Sequence, residues 1–140
     1  MYASILAKIK ATLDSVPLVK ESFSTPKTKL DKFPAVFFKP ESLDNNYLTN
    51  TENAKVYRFM IMVLVGATNQ TVGNAFGEIL PKVVDQIVAA FDEQWDQGVI
   101  DNHRVWCRLY SPNAWEVSEE QDGLMAYAPL LLEVKTTTDV

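Results

Sequence analysis

The segment AKVYRFMIMVLVGAT, residues 54–68, restricts the possible fold more than any other part of this 140-residue chain. From Tyr57 to Val65, only Arg58 is not apolar. A strand with one wet face alternates apolar and polar residues, because successive side chains point to opposite sides. Here Tyr57, Phe59, Ile61, Val63 and Val65 fall on one side, and Val56, Arg58, Met60, Met62 and Leu64 on the other. Both sides of such a strand need cover, and something must supply it.

Two helices are candidates for one side. Tyr2, Ile5, Leu6, Ile9, Leu13 and Val16 are spaced three or four apart, which predicts a short amphipathic helix over 2–16 that ends at Pro17. Val72, Phe76, Ile79, Leu80, Val83, Ile87, Phe91 and Trp95 predict a longer helix over 71–95. Pro81 lies inside it and removes a backbone donor, so a kink or a two-piece helix is expected there. Gly98 is read as the end of this element, and Asn69-Gln70-Thr71 as the cap of its start.

The remaining segments read as strands and turns. A short strand is expected within 18–24, then FPAVFFK at 33–39, the opening segment, RVWCRLY at 104–110, AWEV at 114–117 and LMAYAPLLLEVKT at 124–136. PESLDNNYLTNTENA, residues 40–54, reads as a long polar loop, and SEEQDG as an acidic turn. Helix, strands, helix, strands with short connections predict an α+β fold. Its sheet is mostly antiparallel, with the short N-terminal helix and one long Pro-kinked helix packed on one face. A single domain over 1–140 is expected. The helices cover one side only. Met60 and Met62 with Met125, Tyr127 and Leu131 then form an apolar surface left over, and such surfaces mark association sites. Tyr47, Leu48, Arg58, Met60, Met62, Trp115, Met125 and Tyr127 are the candidate interface residues.

Reactive chemistry finds little support. His103 and Cys107 are the only histidine and the only cysteine. Cys107 reads as a small buried group and His103 as a solvated loop residue. Two such residues are too few for a transition-metal site. Asp92, Glu93, Asp96 and Asp101 do not follow the calcium-loop spacing, and Gly66, Gly73 and Gly77 do not make a dinucleotide fingerprint. No enzyme activity, metal or cofactor is expected. A net charge of −5 with scattered basic residues argues against phosphate-directed nucleic-acid binding. No apolar run is long enough to span a membrane, and the lone cysteine fits folding in a reducing cytoplasm.

A short helix ending at SVPLV is followed by FPAVFF, a polar loop and VYRFMIMVLV. The long helix AFGEILPKVVDQIVAAF comes next, and the chain closes on LMAYAPLLLEVKTTT. This order of elements resembles the tail terminator (tail completion) proteins of long-tailed bacteriophages, over nearly the whole chain. The resemblance implies a virion protein with no catalytic residues, assembled in the host bacterial cytoplasm and placed at the head-proximal end of the tail. It implies a ring, commonly of six identical subunits, that caps the tail tube protein and presents a surface to the head-completion or connector protein. DNA would pass through without specific binding. Glu116, Glu119, Glu120 and Asp122 are candidates for an acidic channel lining, since carboxylates repel phosphates. Two alternatives remain at this point: another neck or head-completion (head–tail joining) subunit, and a small ligand-binding α+β domain using the 95–110 region.

Overall fold

The computed structural model describes residues 2–24, 33–47, 52–67, 71–93, 96–100, 103–120 and 123–139. The first helix, α1 (Tyr2–Asp14), buries Ile5, Ile9 and Leu13, the stripe its periodicity predicts. It stops two residues earlier than expected, in a turn closed by bonds from the Ser15 and Val16 amides. Strand β1 (Glu21–Phe23) follows and is tied back to α1. Lys10 Nζ donates to Ser22 Oγ at 2.7 Å and to Asp14 Oδ1 at 3.1 Å, which satisfies the buried Ser22 hydroxyl.

β2 (Ala35–Tyr47) and β3 (Glu52–Ala67) form a long antiparallel pair. Residues 40–47 and 52–54 are therefore strand, which corrects the loop expected over 40–54. Their polar composition has low strand propensity, but β3 pairs with them on one edge and with the last strand on the other, and such context overrides propensity. A bulge between Pro40 and Ser42 shifts the register, so Phe37 and Lys39 share a face with Met62 and Met60, while beyond it Ser42 and Asp44 take that face.

The second helix runs in three pieces: α2 (Val72–Asn74), a π turn (Ala75–Ile79) and α3 (Leu80–Glu93). The Leu80 amide bonds to Ala75 O, five residues back, immediately before Pro81. Pro81 has no N–H for the carbonyl four residues behind it, and the wider turn accommodates its ring, so the expected interruption takes the form of a π turn. Thr71 O accepts from the Ala75 amide at the helix start. Asn69 and Gln70 lie outside the described residues, as does Trp95. Val83, Ile87 and Phe91 are buried.

The helix ends at Glu93, and Gly98 does not end it. That glycine lies in β4 (Asp96–Ile100), where its φ of 70° sits at a bulge. β5 (His103–Tyr110), β6 (Glu116–Glu120) and β7 (Gly123–Asp139) complete the sheet. Among the described residues seven strands form one strongly curled sheet in the order β1-β2-β3-β7-β5-β4, with β6 also on β7. Only β1–β2 is parallel. The fold is α+β, with the helices packed on the face that carries Val36, Phe38, Phe59, Ile61, Leu130 and Leu132.

Gly66 holds a close approach across this sheet. A Cβ built there lies 2.8 Å from Phe33 Cε2 and 3.0 Å from Cδ2. By parity it points to the face away from the helices, so the Phe33 ring covers part of that face. Gly66→Ala is expected to destabilise the chain by about 1–3 kcal/mol, the usual range for overpacking. Denaturant unfolding of G66A, of F33A and of the double variant checks this, since most of the G66A loss should vanish once the ring is gone.

Candidate functional site

The face of the sheet opposite the helices holds the candidate site. Ladder pairing sets Met60 opposite Leu131, Met62 opposite Pro129 and Leu64 opposite Tyr127, with Met125 opposite Gly66 and Phe37 opposite Met62 on β2. Directly paired residues share a face, so these form one continuous apolar block. Leu64 and Pro129 are buried, while Phe37, Met60, Met62, Met125, Tyr127 and Leu131 are half-buried. The surplus apolar surface expected from the sequence is therefore present but narrower. Curl of the sheet and the Phe33 ring over Gly66 shield part of it, and no helix among the described residues covers the rest.

Beside this block runs a row of charges across four strands. Arg58 Nη1 donates to Asp44 Oδ2, and its Nε lies 3.7 Å from Glu133 Oε1. Glu133 also accepts from Arg108 Nη2 at 3.1 Å and from the Tyr110 hydroxyl at 2.8 Å, and the Arg108 guanidinium lies 5.0 Å from the Tyr110 ring centroid. Burial pushes the Glu133 carboxyl up, but the Tyr110 hydrogen bond, Arg108 and Arg58 outweigh it and hold it below its ordinary value. A depressed carboxyl stabilises the fold fully above the ordinary glutamate range, about pH 4.3, and loses that contribution as pH falls through its lowered value. Glu133→Gln should flatten this acid limb in a thermal-unfolding series across pH, with the Asp14 carboxyl, lowered chiefly by its Ser22 bond, still contributing in the same direction.

Arg58, Met60, Met62, Met125 and Tyr127 are thus brought together on one face. Trp115 is half-buried; its Nε1 donates to Ser111 Oγ at 3.0 Å, and the ring packs against the core. Tyr47 pairs with Asn53 in the β2–β3 ladder, and its side chain lies outside the described residues. Leu48 lies outside the described residues. The two acidic candidates whose side chains are described, Glu116 and Glu119, do not line one surface. Glu116 pairs with Tyr127 and accepts its hydroxyl proton at 2.6 Å, which pushes that phenol above its ordinary range. Glu119 pairs with Leu124 and so belongs to the opposite face, while the side chain of Glu120 lies outside the described residues. Asp122 lies outside the described residues.

Among the described residues, the 95–110 region does not assemble reactive groups. His103 opens β5 and is half-buried, where a solvated loop position had been expected, because it pairs with Ile100 of β4. Cys107 stands four residues along the same strand, about 13 Å away by strand rise, so the two cannot share a proton. Cys107 is half-buried, and its Sγ donates to Phe91 O at 3.7 Å. A cleft lined by Ile5, Ile9, Phe91, Cys107 and Leu132 has room for about one water molecule. Asp92 and Glu93 are exposed at the end of α3, Asp101 lies outside the described residues, and no group of three metal-type ligands converges among the described residues. No helix among them is long and apolar enough to cross a membrane.

Residues 118–120 are strand in β6, held by pairing with β7, which corrects the acidic turn expected over SEEQDG. Two further strand segments were not expected from the sequence. One is β4, whose signal was available: Asp101-Asn102, two turn-forming residues, stands between GVI and HRV, which is a hairpin pattern. The other is the β2–β3 arm, where only pairing partners distinguish strand from loop.

Comparison with known proteins bears on the whole fold. No protein-family model matches the chain, and no curated protein matches it. Among solved structures, the chain is similar to one in the virion of a native gene transfer agent (GTA) particle, with a TM-score of 0.56 and 11% identity. The match covers 98% of this chain and 97% of that one. At that identity the two chains share a fold.

Proposed function

We propose that this chain is a structural protein of a phage-like virion, and within it the terminator of a tail. The full-length likeness to a chain of a gene transfer agent virion is the observation that carries the proposal. The order of elements supports the finer reading, and the half-covered apolar block supports a protein that works in an assembly. In this reading, copies of the chain form a ring, six by the family resemblance, that caps the tail tube, stops its elongation and offers a docking surface to the head connector. The ring works by shape and contact, without a cofactor or covalent chemistry, and DNA passes through it.

Electron microscopy of particles assembled without this protein tests the role. Loss of a terminator leaves tails of uncontrolled length. Tails of normal length that fail to join heads would instead assign the chain to a head–tail joining subunit, which the same fold likeness also accommodates.

A further inference from the structure

On the face away from the helices, one positive and one negative group stand at equal distances on either side of the apolar block. β3 occupies one edge of β7, and β5 and β6 share the other, so Arg108 lies level with Glu133 and Glu116 level with Tyr127 on the same side of β7. Glu133 and Tyr127 are each three residues from Leu130, about 10 Å of strand in opposite directions. Arg108 keeps 70% of its side chain exposed although it meets Glu133. Glu116 is exposed and holds the Tyr127 hydroxyl. The apolar residues share this symmetry. Met60 and Leu131 stand one step to one side of the Leu130 level, and Met62 and Pro129 one step to the other.

We infer that two copies pack this face against each other across a two-fold axis, which runs in the plane of the sheet and crosses β7 at the level of Leu130. Such an axis reverses strand direction and keeps each strand on its own side. Arg108 of one copy therefore meets Glu116 of the other, and the contact occurs twice. The same operation sets Met60 against Met62 and Leu131 against Pro129 of the second copy. Sheets packed face to face lie about 10 Å apart and within about 30° of each other. At about 10 Å from the axis that rotation displaces Arg108 by about 5 Å, within reach of its long side chain. Arg58 brings Asp44 and Glu133 with it and adds no unpaired charge. A second copy is the occupant because the face complements itself, in charge and in the placing of its apolar residues, as an isologous contact requires. From the Tyr127 level to the Glu133 level and across four strands the face measures about 20 by 19 Å, the size of a weak or transient contact. The inference goes beyond the ring reading and does not depend on it, because a two-fold contact saturates in a pair.

Charge reversal in the full chain tests the pair. R108E and E116R each set like charges together twice, and each is expected to raise the dimer Kd about tenfold or more, read by sedimentation over a concentration series. An equimolar mixture of the two should recover pairing, because both contacts of the mixed pair then join opposite charges. The double variant R108E/E116R should pair with itself as the wild type does. The neutral variants R108Q and E116Q should give smaller losses of the same sign, which keeps the test decisive if a reversed variant fails to fold. A wild-type chain that stays monomeric at high concentration, pairing unchanged in all variants, or a mixture no better than its components would overturn the inference. Charge-dependent association that runs past two copies would assign these residues to a head-to-tail contact and overturn the two-fold pair. Cross-links from Lys39, at the rim of the block, to a different protein in purified particles, with the free chain monomeric, would give the face to another occupant. None of these outcomes bears on tail length, so the terminator role is tested separately.

Discussion

A chain carrying Met60→Thr and Met62→Thr is expected to fold and to lose its assembly. Both methionines stand in the middle of β3 on the face away from the helices, and both are half-buried in the single chain. Threonine has the branched shape that strands favour and brings a hydroxyl. Because the sites are only partly covered, the loss of folding stability should stay near 1–2 kcal/mol for the pair, within the ordinary range for substitutions of this kind. At a copy-to-copy contact the same change removes apolar area from the centre of the block and places two hydroxyls among Phe37, Leu131 and Pro129. Central, desolvated residues dominate association energy, so the effect on assembly should exceed tenfold, on the order of 2 kcal/mol or more. Thermal unfolding followed by circular dichroism, with sedimentation on the same samples, checks both halves. Wild-type assembly in the variant would show that the block is not a contact.

The period-two pattern of β3 made both the strand and its two faces legible, and every residue on the Tyr57–Val65 side is buried as that pattern requires. Helix periodicity likewise gave the buried stripe of α1, and Pro81 marked the place where the second helix changes pitch. The misreadings share a cause. Strand 41–47 is polar and rich in Asn, and nothing local distinguishes it from a loop; its ladder with residues 53–58 does. Gly98 carries the same local signal as a helix end and a bulge, and only the pairing of β4 with β5 separates them. The acidic candidates were grouped by nearness in sequence, but a strand alternates its side chains between two faces, so Glu119 parts from Glu116. The extent of cover over the methionines depends on curl and on Phe33 reaching Gly66, which are contacts between segments distant in the chain.

Phe59 is the neighbour of Met60, and its substitution should do the reverse. Its side chain is fully buried on the helix side of β3, paired with Pro40 and Leu132, with its ring 5.7 Å from that of Tyr2 in an edge-on contact. Tyr2 also meets Tyr57 at 4.7 Å, so Phe59 and Tyr57 together hold the first turn of α1 against the sheet. Phe59→Ala leaves a cavity between that helix and the middle of the longest ladder in the sheet, where paired strands on both sides limit collapse. A cost of about 3–5 kcal/mol is expected, the range for a buried phenylalanine truncated to alanine. For a chain of this length total stability is roughly 7–20 kcal/mol, so the variant should survive but with a much lower denaturant midpoint. Phe59→Leu, which fills most of the space, should recover a large part of the loss. An unchanged slope of the unfolding transition would identify the effect as one on the native core rather than on the unfolded chain. Assembly, measured at a temperature where F59A is still folded, should remain near that of the wild type, because the substitution leaves the face that carries Met60 untouched. In the proposed reading, one step along β3 thus separates a residue that maintains the fold from one assigned to the assembly contact.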